Sequence, residues 1–288
     1  MAKLIVGCGY VGQRLAEAWL ADGATVYATT RSEERAKLLS EVGYQPIVWD
    51  ITKDSDVDLP KVETVVFAVG FDRKSAKQTG QTIEDVYVGG LERALNKCPA
   101  VKKWIYLSST GVYGQSDGSW VDESSPCKPN REGGKACLAA EQLLATHPIH
   151  GEQSVILRLA GIYGPDRLPQ AKMLQRNEPL AVSSDAYLNL IHVDDIVSII
   201  QACERITTPT TLCVSDGHPI VRAEFYEYLA ELLGTPPPQF EPPEPGTPRA
   251  ERGRGSKRIR NDQLLAMVKP TFCYPTYREG LKSLIRDS

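Results

Sequence analysis

No apolar run in the sequence reaches the ~20 residues that a bilayer-spanning helix needs. There is no CxxC pair, and the seven cysteines, at positions 8, 98, 127, 137, 203, 213 and 273, are odd in number and widely spaced. Disulfide frameworks and zinc sites need paired or clustered residues. The pattern therefore predicts reduced thiols and a cytoplasmic protein, with Cys8 and Cys213 as small core residues. Charge of one sign is not in excess: 33 Lys plus Arg face 36 Asp plus Glu, a net charge of −3. Such a balance exerts no global attraction on a polyphosphate backbone, so nucleic acid is not an expected partner. Histidine is scarce, and His147 and His150, among only four, have no obvious partner ligands, so no metal site is expected. The apolar stretch before Gly7 is too short for a signal peptide, and no internal repeat is visible.

What remains is an ordinary globular composition: 288 residues, 42% hydrophobic and 24% charged. The length suits one large domain or two modest ones. Strand-like runs at residues 3–6, 25–29, 45–49, 64–69, 104–108 and 154–159 alternate with helical patterns at 10–22, 33–40, 83–96 and 132–146. This is the rhythm of a parallel sheet covered by helices. The strands are almost continuously apolar or β-branched, as in sheets buried on both faces. After residue 164 the rhythm fails. A helix at 193–204, a late strand at 211–214 and a helix at 223–233 are followed by a proline-rich stretch at 235–248 and a basic run at 249–260.

Gly7-Cys8-Gly9-Tyr10-Val11-Gly12 follows the first strand and opens the first helix. In that context GxGxxG is a phosphate-binding turn: Gly7 for the tight turn, Gly9 for close approach of a pyrophosphate, Gly12 for packing of helix on strand. The helix N-terminus adds free N–H groups and a partial positive charge. An NAD site normally has an acidic residue at the end of the second strand, where this chain has Thr29-Thr30-Arg31-Ser32. Arg31 can pair with a 2′-phosphate, with Thr30 and Ser32 donating to it, which favours NADP over NAD. Asp50, after the third strand, either accepts from the adenine amino group or caps a turn.

The order and spacing of several segments resemble those of the extended short-chain dehydrogenases/reductases of the NAD-dependent epimerase/dehydratase type. They are 6–12, Trp49-Asp50-Ile51, 106–114 (YLSSTGVYG), Asp122-Glu123 with Pro126 and Pro129, 158–165 (RLAGIYGP), 191–195 (IHVDD), 256–261 (SKRIRN) and 274–280 (YPTYREG). Val6 stands where that family usually has the first glycine of GxxGxxG. The resemblance implies a doubly wound α/β (Rossmann) fold with a small C-terminal substrate lobe. The dinucleotide-binding domain would comprise 1–164, with 190–215 returning to it, and the lobe 165–189 and 216–288. It extends the cofactor surface to Tyr10, Val11, Ile51, Ala68, Val69, Gly70, Ala160 and Ile162. It also implies a small-molecule substrate, a nucleotide sugar or similar polar metabolite, and is compatible with a homodimer.

That family's chemistry uses a Ser/Thr and a YxxxK pair on one helix face, the lysine lowering the phenol's pKa and holding the nicotinamide ribose. Ser109 matches the Ser/Thr position and Lys135 the lysine, but the tyrosine position is Arg131. None of the twelve tyrosines has Lys four residues later. A guanidinium cannot replace the phenol, because it stays protonated. Losing a general acid/base costs about 10²–10⁴ in rate. Tyr113, Tyr163 and His192 are the candidate substitutes, each with an alternative reading as a packing or junction residue, and Arg131 can instead bind a substrate anion. Part of the basic run (Arg249, Arg252, Arg254, Lys257, Arg258, Arg260) is either a diphosphate contact or a solvated loop. The expected function is an NAD(P)-dependent epimerase/dehydratase or reductase with an altered catalytic set. The alternatives are a non-catalytic NAD(P)-binding sensor or a structural partner that keeps only the fold.

Overall fold

The computed structural model describes residues 1–242 and 255–286. The chain forms two compact units, the first from Met1–Val112, Glu132–Arg158 and Val197–Leu212, the second from Tyr113–Arg131, Leu159–Ile196 and Cys213–Ser288.

The first unit is built on a seven-stranded sheet. Its strands are β1 (Ala2–Val6), β2 (Thr25–Thr30), β3 (Gln45–Val48), β4 (Thr64–Phe67), β5 (Lys103–Ser109), β6 (Ser154–Leu159) and β7 (Thr210–Val214), in the spatial order β7-β6-β5-β4-β1-β2-β3. The pairs β1–β2, β1–β4, β2–β3 and β4–β5 are parallel. Successive strands run outward from β1 to β3, then the chain crosses back to place β4 on the other side of β1. The crevice at this reversal is where open α/β sheets bind ligands. Helices α1 (Tyr10–Ala21), α2 (Glu33–Glu41), α3 (Arg73–Thr79), α4 (Gly90–Lys97) and α5 (Glu132–Ala145) accompany the strands. Leu4, Val6, Val65, Phe67, Trp104 and Tyr106 join Leu91, Leu95 and Leu144 in one core cluster. The helix expected over 83–96 carries a π turn at Asp85–Gly89. A Cβ on Gly90, just after that turn, would lie 3.2 Å from the Ile51 side chain.

The second unit has a buried core cluster of its own. Tyr163, Leu174, Leu180, Leu190, Phe225, Leu229, Tyr277 and Leu281 belong to a separate buried cluster. They come from segments far apart in sequence: Phe225 and Leu229 lie on the helix expected over 223–233, but their partners Tyr163, Leu174, Leu180 and Leu190 come from short pieces that no periodic run announces. Residues 113–131 join the second unit, where Trp120–Val121 pairs in parallel with Arg258–Ile259. Residues 159–164 join it too, where Gly161–Tyr163 pairs with Leu190–His192.

Candidate functional site

In the first unit, three glycines of the turn after β1 meet different constraints. Gly7 has φ 91°, and a Cβ there would lie 2.7 Å from Val69 Cα, so only glycine lets the ends of β1 and β4 approach. A Cβ on Gly12 would lie 2.8 Å from the Gly7 carbonyl oxygen and 3.0 Å from Ile5 Cγ2, which fixes α1 against the turn. Gly9 differs from both: its φ is −93° and nothing lies within 4 Å of a Cβ built on it. Packing does not require glycine at that position, although its ψ of −145° lies outside the regions L side chains favour. Gly70, exposed just beyond β4, has the same open surroundings. Gly9 is the N-cap of α1 and makes no side-chain capping bond, and the first N–H groups of a helix have no intrahelical acceptors. These residues fit a dinucleotide pyrophosphate: an open cradle with helix-end donors and no side chain in the way. Val11 and Ile51 are buried and Tyr10 is half-buried, while Ala68 N donates to the Val6 carbonyl and extends the ladder past β4.

Beyond β2 the chain presents two arginines. Arg31 is exposed, donates to Ser75 Oγ at 3.3 Å and lies 3.8 Å from the Asp72 carboxylate. Arg35 donates to the Cys8 carbonyl within the glycine turn at 2.9 Å. Sequence reasoning missed Arg35; the signal was its position four residues after Arg31, just inside a helix capped by Ser32, whose Oγ accepts from Arg35 N. Thr30 is buried. Asp50 closes a turn, its Oδ1 accepting from both Thr52 N (3.1 Å) and Thr52 Oγ1 (2.7 Å). Burial alone would raise the Asp50 pKa, but the Thr52 bonds and the Lys53 and Arg31 charges outweigh it and hold the carboxyl below its ordinary range.

Ser109 closes β5, half-buried, with its Oγ accepting from Gly111 N at 3.0 Å. Lys135 is exposed on α5. The register of α5 on the sheet is set by a buried cluster that sequence reasoning did not find. The Glu141 carboxylate of α5 takes a forked pair from Arg158 of β6, Nε at 3.1 Å and Nη2 at 2.7 Å, and a further bond from Ser108 Oγ of β5. Both ion-pair partners are buried. An acid inside the apolar rhythm of an amphipathic helix was the available clue.

In the second unit, the substitutes suggested for the missing tyrosine have other occupations. Tyr113 is buried, its hydroxyl 3.1 Å from Cys213 Sγ. Tyr163 is fully buried, and a Cβ on Gly280 would lie 2.2 Å from its hydroxyl. Burial, together with the Asp216 and Asp195 carboxylates, pushes the Tyr163 phenol far above its ordinary pKa. His192 is also buried, edge-on to Tyr163 and 3.9 Å from the Tyr274 ring centroid. It borders a cavity of about 780 Å³ that Arg167, Met173, Asp194 and Tyr274 also line. Asp195 does not cap its own helix; its carboxylate accepts from Cys273 N and Tyr274 N and ties down the C-terminal segment. Ala160 N donates to the Val214 carbonyl, and Ile162 pairs with Ile191 in a strand. Arg131 is half-buried. Of the basic run, Arg249, Arg252 and Arg254 lie outside the described residues. Among the described residues no group of His, Cys, Asp and Glu could hold a metal ion, and no helix is long and apolar enough to cross a membrane.

Asp216 provides a pH test of this packing. It is 4% exposed, Oδ1 accepts from His218 N at 2.9 Å, and Oδ2 is buried without a hydrogen-bond partner. Burial pushes its pKa up to about 7, with Asp195 adding to the shift. A carboxyl raised in the folded state stabilises while protonated, and that contribution is lost as pH rises through the folded value. Thermal stability is therefore expected to carry a component that declines between about pH 4 and 7, and Asp216→Asn should remove it. Parallel melting curves for the two proteins across that range would contradict the assignment.

A family model described as the NAD dependent epimerase/dehydratase family matches residues 4–207. Protein YeeZ of Escherichia coli is 26% identical over 241 residues, which cover 82% of this chain and 85% of YeeZ. A 4-hydroxy-2-methyl-3-oxo-4-farnesyl-3,4-dihydroquinoline-1-oxide ketoreductase of Stigmatella aurantiaca is 27% identical across 79% of this chain and 72% of its own. The fold is shared with the UDP-glucuronic acid 4-epimerase of Bacillus cereus, crystallised with UDP-glucuronic acid and NAD, at a TM-score of 0.78 and 19% identity over 100% of this chain and 99% of that one. With a match over well more than half its length, the chain belongs to the NAD-dependent epimerase/dehydratase family.

Proposed function

We propose that the protein is an NADP-dependent enzyme of the short-chain dehydrogenase type, acting on a nucleotide sugar or a similar polar metabolite. The reading rests on the pairing of Gly9, which neither packing nor φ requires to be glycine, with Arg31 and Arg35 where an acid would select NAD. The dinucleotide supplies a hydride donor or acceptor when bound. The α1 N-terminus would hold its pyrophosphate, Arg31 and Arg35 its 2′-phosphate, Lys135 the nicotinamide ribose, and Ser109 would orient a substrate hydroxyl. A nucleotide-sugar substrate draws support from the shared fold of the Bacillus cereus epimerase, and a ketone reduction from the Stigmatella relative. The comparisons do not favour a non-catalytic sensor.

Fluorescence titration with NADPH and NADH tests the proposal. NADPH should bind more tightly. Arg31→Ser should weaken NADPH about tenfold or more, since a hydrogen bond to a charged group contributes roughly 1.5–3 kcal/mol, and leave NADH unchanged. Equal affinities in the unmodified protein would remove the NADP assignment, and no binding of either dinucleotide would remove the enzyme reading altogether.

A further inference from the structure

Helix α3 contributes nothing to the core of the first unit: none of its residues is buried. Polar ties hold it in place instead. Before the helix, Phe71 N donates to the Tyr87 hydroxyl at 3.3 Å. After it, Gln81 Nε2 donates to Thr52 Oγ1, which in turn donates to Asp50 Oδ1 just beyond β3. In its first turn, Ser75 Oγ accepts from Arg31 Nη1 at 3.3 Å, and the Asp72 carboxylate lies 3.8 Å from Arg31 Nη2. The segment 71–81 is thus tied to the carboxyl ends of β2, β3 and β4, the side of an open α/β sheet on which ligands bind.

The two oxygens of Asp72 have different duties. Oδ1 caps α3, accepting from Lys74 N at 2.9 Å and from Ser75 N at 3.3 Å. Oδ2 takes no part in the cap and faces the guanidinium. Both side chains of that ion pair are about half exposed, and such pairs contribute little to folding. The pair does bear on whatever Arg31 binds. Toward a 2′-phosphate, Oδ2 is a like charge that competes for one guanidinium nitrogen. Toward a free ribose hydroxyl it is an acceptor, the part that an acid at the end of the second strand has in an NAD site. The Ser75 hydroxyl acts in the opposite direction. It accepts from Arg31, and among the described residues nothing takes its own hydrogen, which a phosphate oxygen can accept.

We propose that Asp72 and Ser75 are specificity-determining residues for the dinucleotide, acting beside Arg31: Ser75 favours the 2′-phosphate and Asp72 opposes it. Both come from the segment after β4, not from the turn after β2 that carries Arg31. The assignment rests on the proposed dinucleotide site and adds the residues that tune its choice.

The test is fluorescence titration of Asp72→Asn and Ser75→Ala with NADPH and NADH, each variant beside the unmodified protein. Asparagine caps a helix as well as aspartate does. Asp72→Asn therefore keeps the Oδ1 bonds and puts an amide NH2, a donor, where Oδ2 accepts. NADPH should bind about three- to fivefold more tightly and NADH about three- to fivefold more weakly, the scale of an exposed charge contact. Ser75→Ala should weaken NADPH about threefold, the loss of one neutral hydrogen bond, and leave NADH unchanged. The opposite signs in Asp72→Asn are the decisive readout. Loss of the cap weakens both dinucleotides, and a general charge effect tightens both, since both are anions. Either of those patterns, or an unchanged ratio of the two affinities, would overturn the assignment while NADPH binding by the unmodified protein stands. If the unmodified protein binds neither dinucleotide, the proposed function falls and this assignment falls with it. Should Asp72→Asn fail to fold, Ser75→Ala decides alone, and an unchanged ratio there overturns the assignment.

Discussion

Glu141→Ala is expected to destabilise the protein by about 3–5 kcal/mol, because it removes the buried carboxylate that the Arg158 guanidinium faces. The ion pair is forked and dry, and Ser108 supplies a further bond to the same carboxylate. The cost is therefore chiefly that of a buried charge deprived of its carboxylate, not the small net gain of the bond itself. In thermal unfolding the loss corresponds to about 2–4 °C for each kcal/mol in domains of 150–250 residues. A second variant separates charge from packing. Replacing both partners, Glu141→Leu with Arg158→Met, removes the buried charge as well and should recover most of the loss. If Glu141→Ala costs under about 1 kcal/mol by urea unfolding, in the range of an exposed pair, the buried network does not set the register of α5.

The second large effect divides two glycines of one turn. Gly7→Ala places a side chain at φ 91°, 2.7 Å from the Val69 backbone. Left-handed strain of about 1–2 kcal/mol adds to overpacking of about 1–3 kcal/mol, and the loss appears in folding stability with or without cofactor. Gly9→Ala puts its methyl into open space and should cost less stability than Gly7→Ala, since only its ψ of −145° disfavours a side chain. Its effect falls on binding. NADPH affinity should drop about ten- to a hundredfold, or roughly 1.4–2.7 kcal/mol, because the methyl occupies the approach of the pyrophosphate. Chemical unfolding paired with fluorescence titration reads both. A Gly9→Ala protein that binds NADPH normally would remove the cradle from the dinucleotide site.

The legibility of this protein divides by the range of the interactions involved. The strands and helices of the first unit could be read closely, since β-branched runs and helical apolar periodicity are local signals. The glycine turn was readable for the same reason: φ at Gly7 is a property of a few consecutive residues. The short helices at Ala171–Gln175 and Asp262–Met267 were not, because pieces of one or two turns are stabilised by packing and not by propensity. The Glu141–Arg158 pair and the core of the second unit join residues far apart in the chain, with no spacing rule to reveal them.

Tyr163 and Lys257 show the same division at the level of chemistry. Residue type and turn context made Tyr163 a candidate acid, but its burial against Gly280 is decided by a helix more than a hundred residues away. Lys257 read as one cation in a basic run, but beside Trp120–Val121 it turns inward and donates to the Tyr113 carbonyl. The sequence by itself determined the strand–turn–helix cradle, the absence of the YxxxK tyrosine and the arginine at the end of β2, all encoded in contiguous or near-contiguous residues. Tertiary structure alone decided which tyrosines are sealed, which charges are paired and which lysine turns inward, because burial and electrostatic partners depend on segments that only folding brings together.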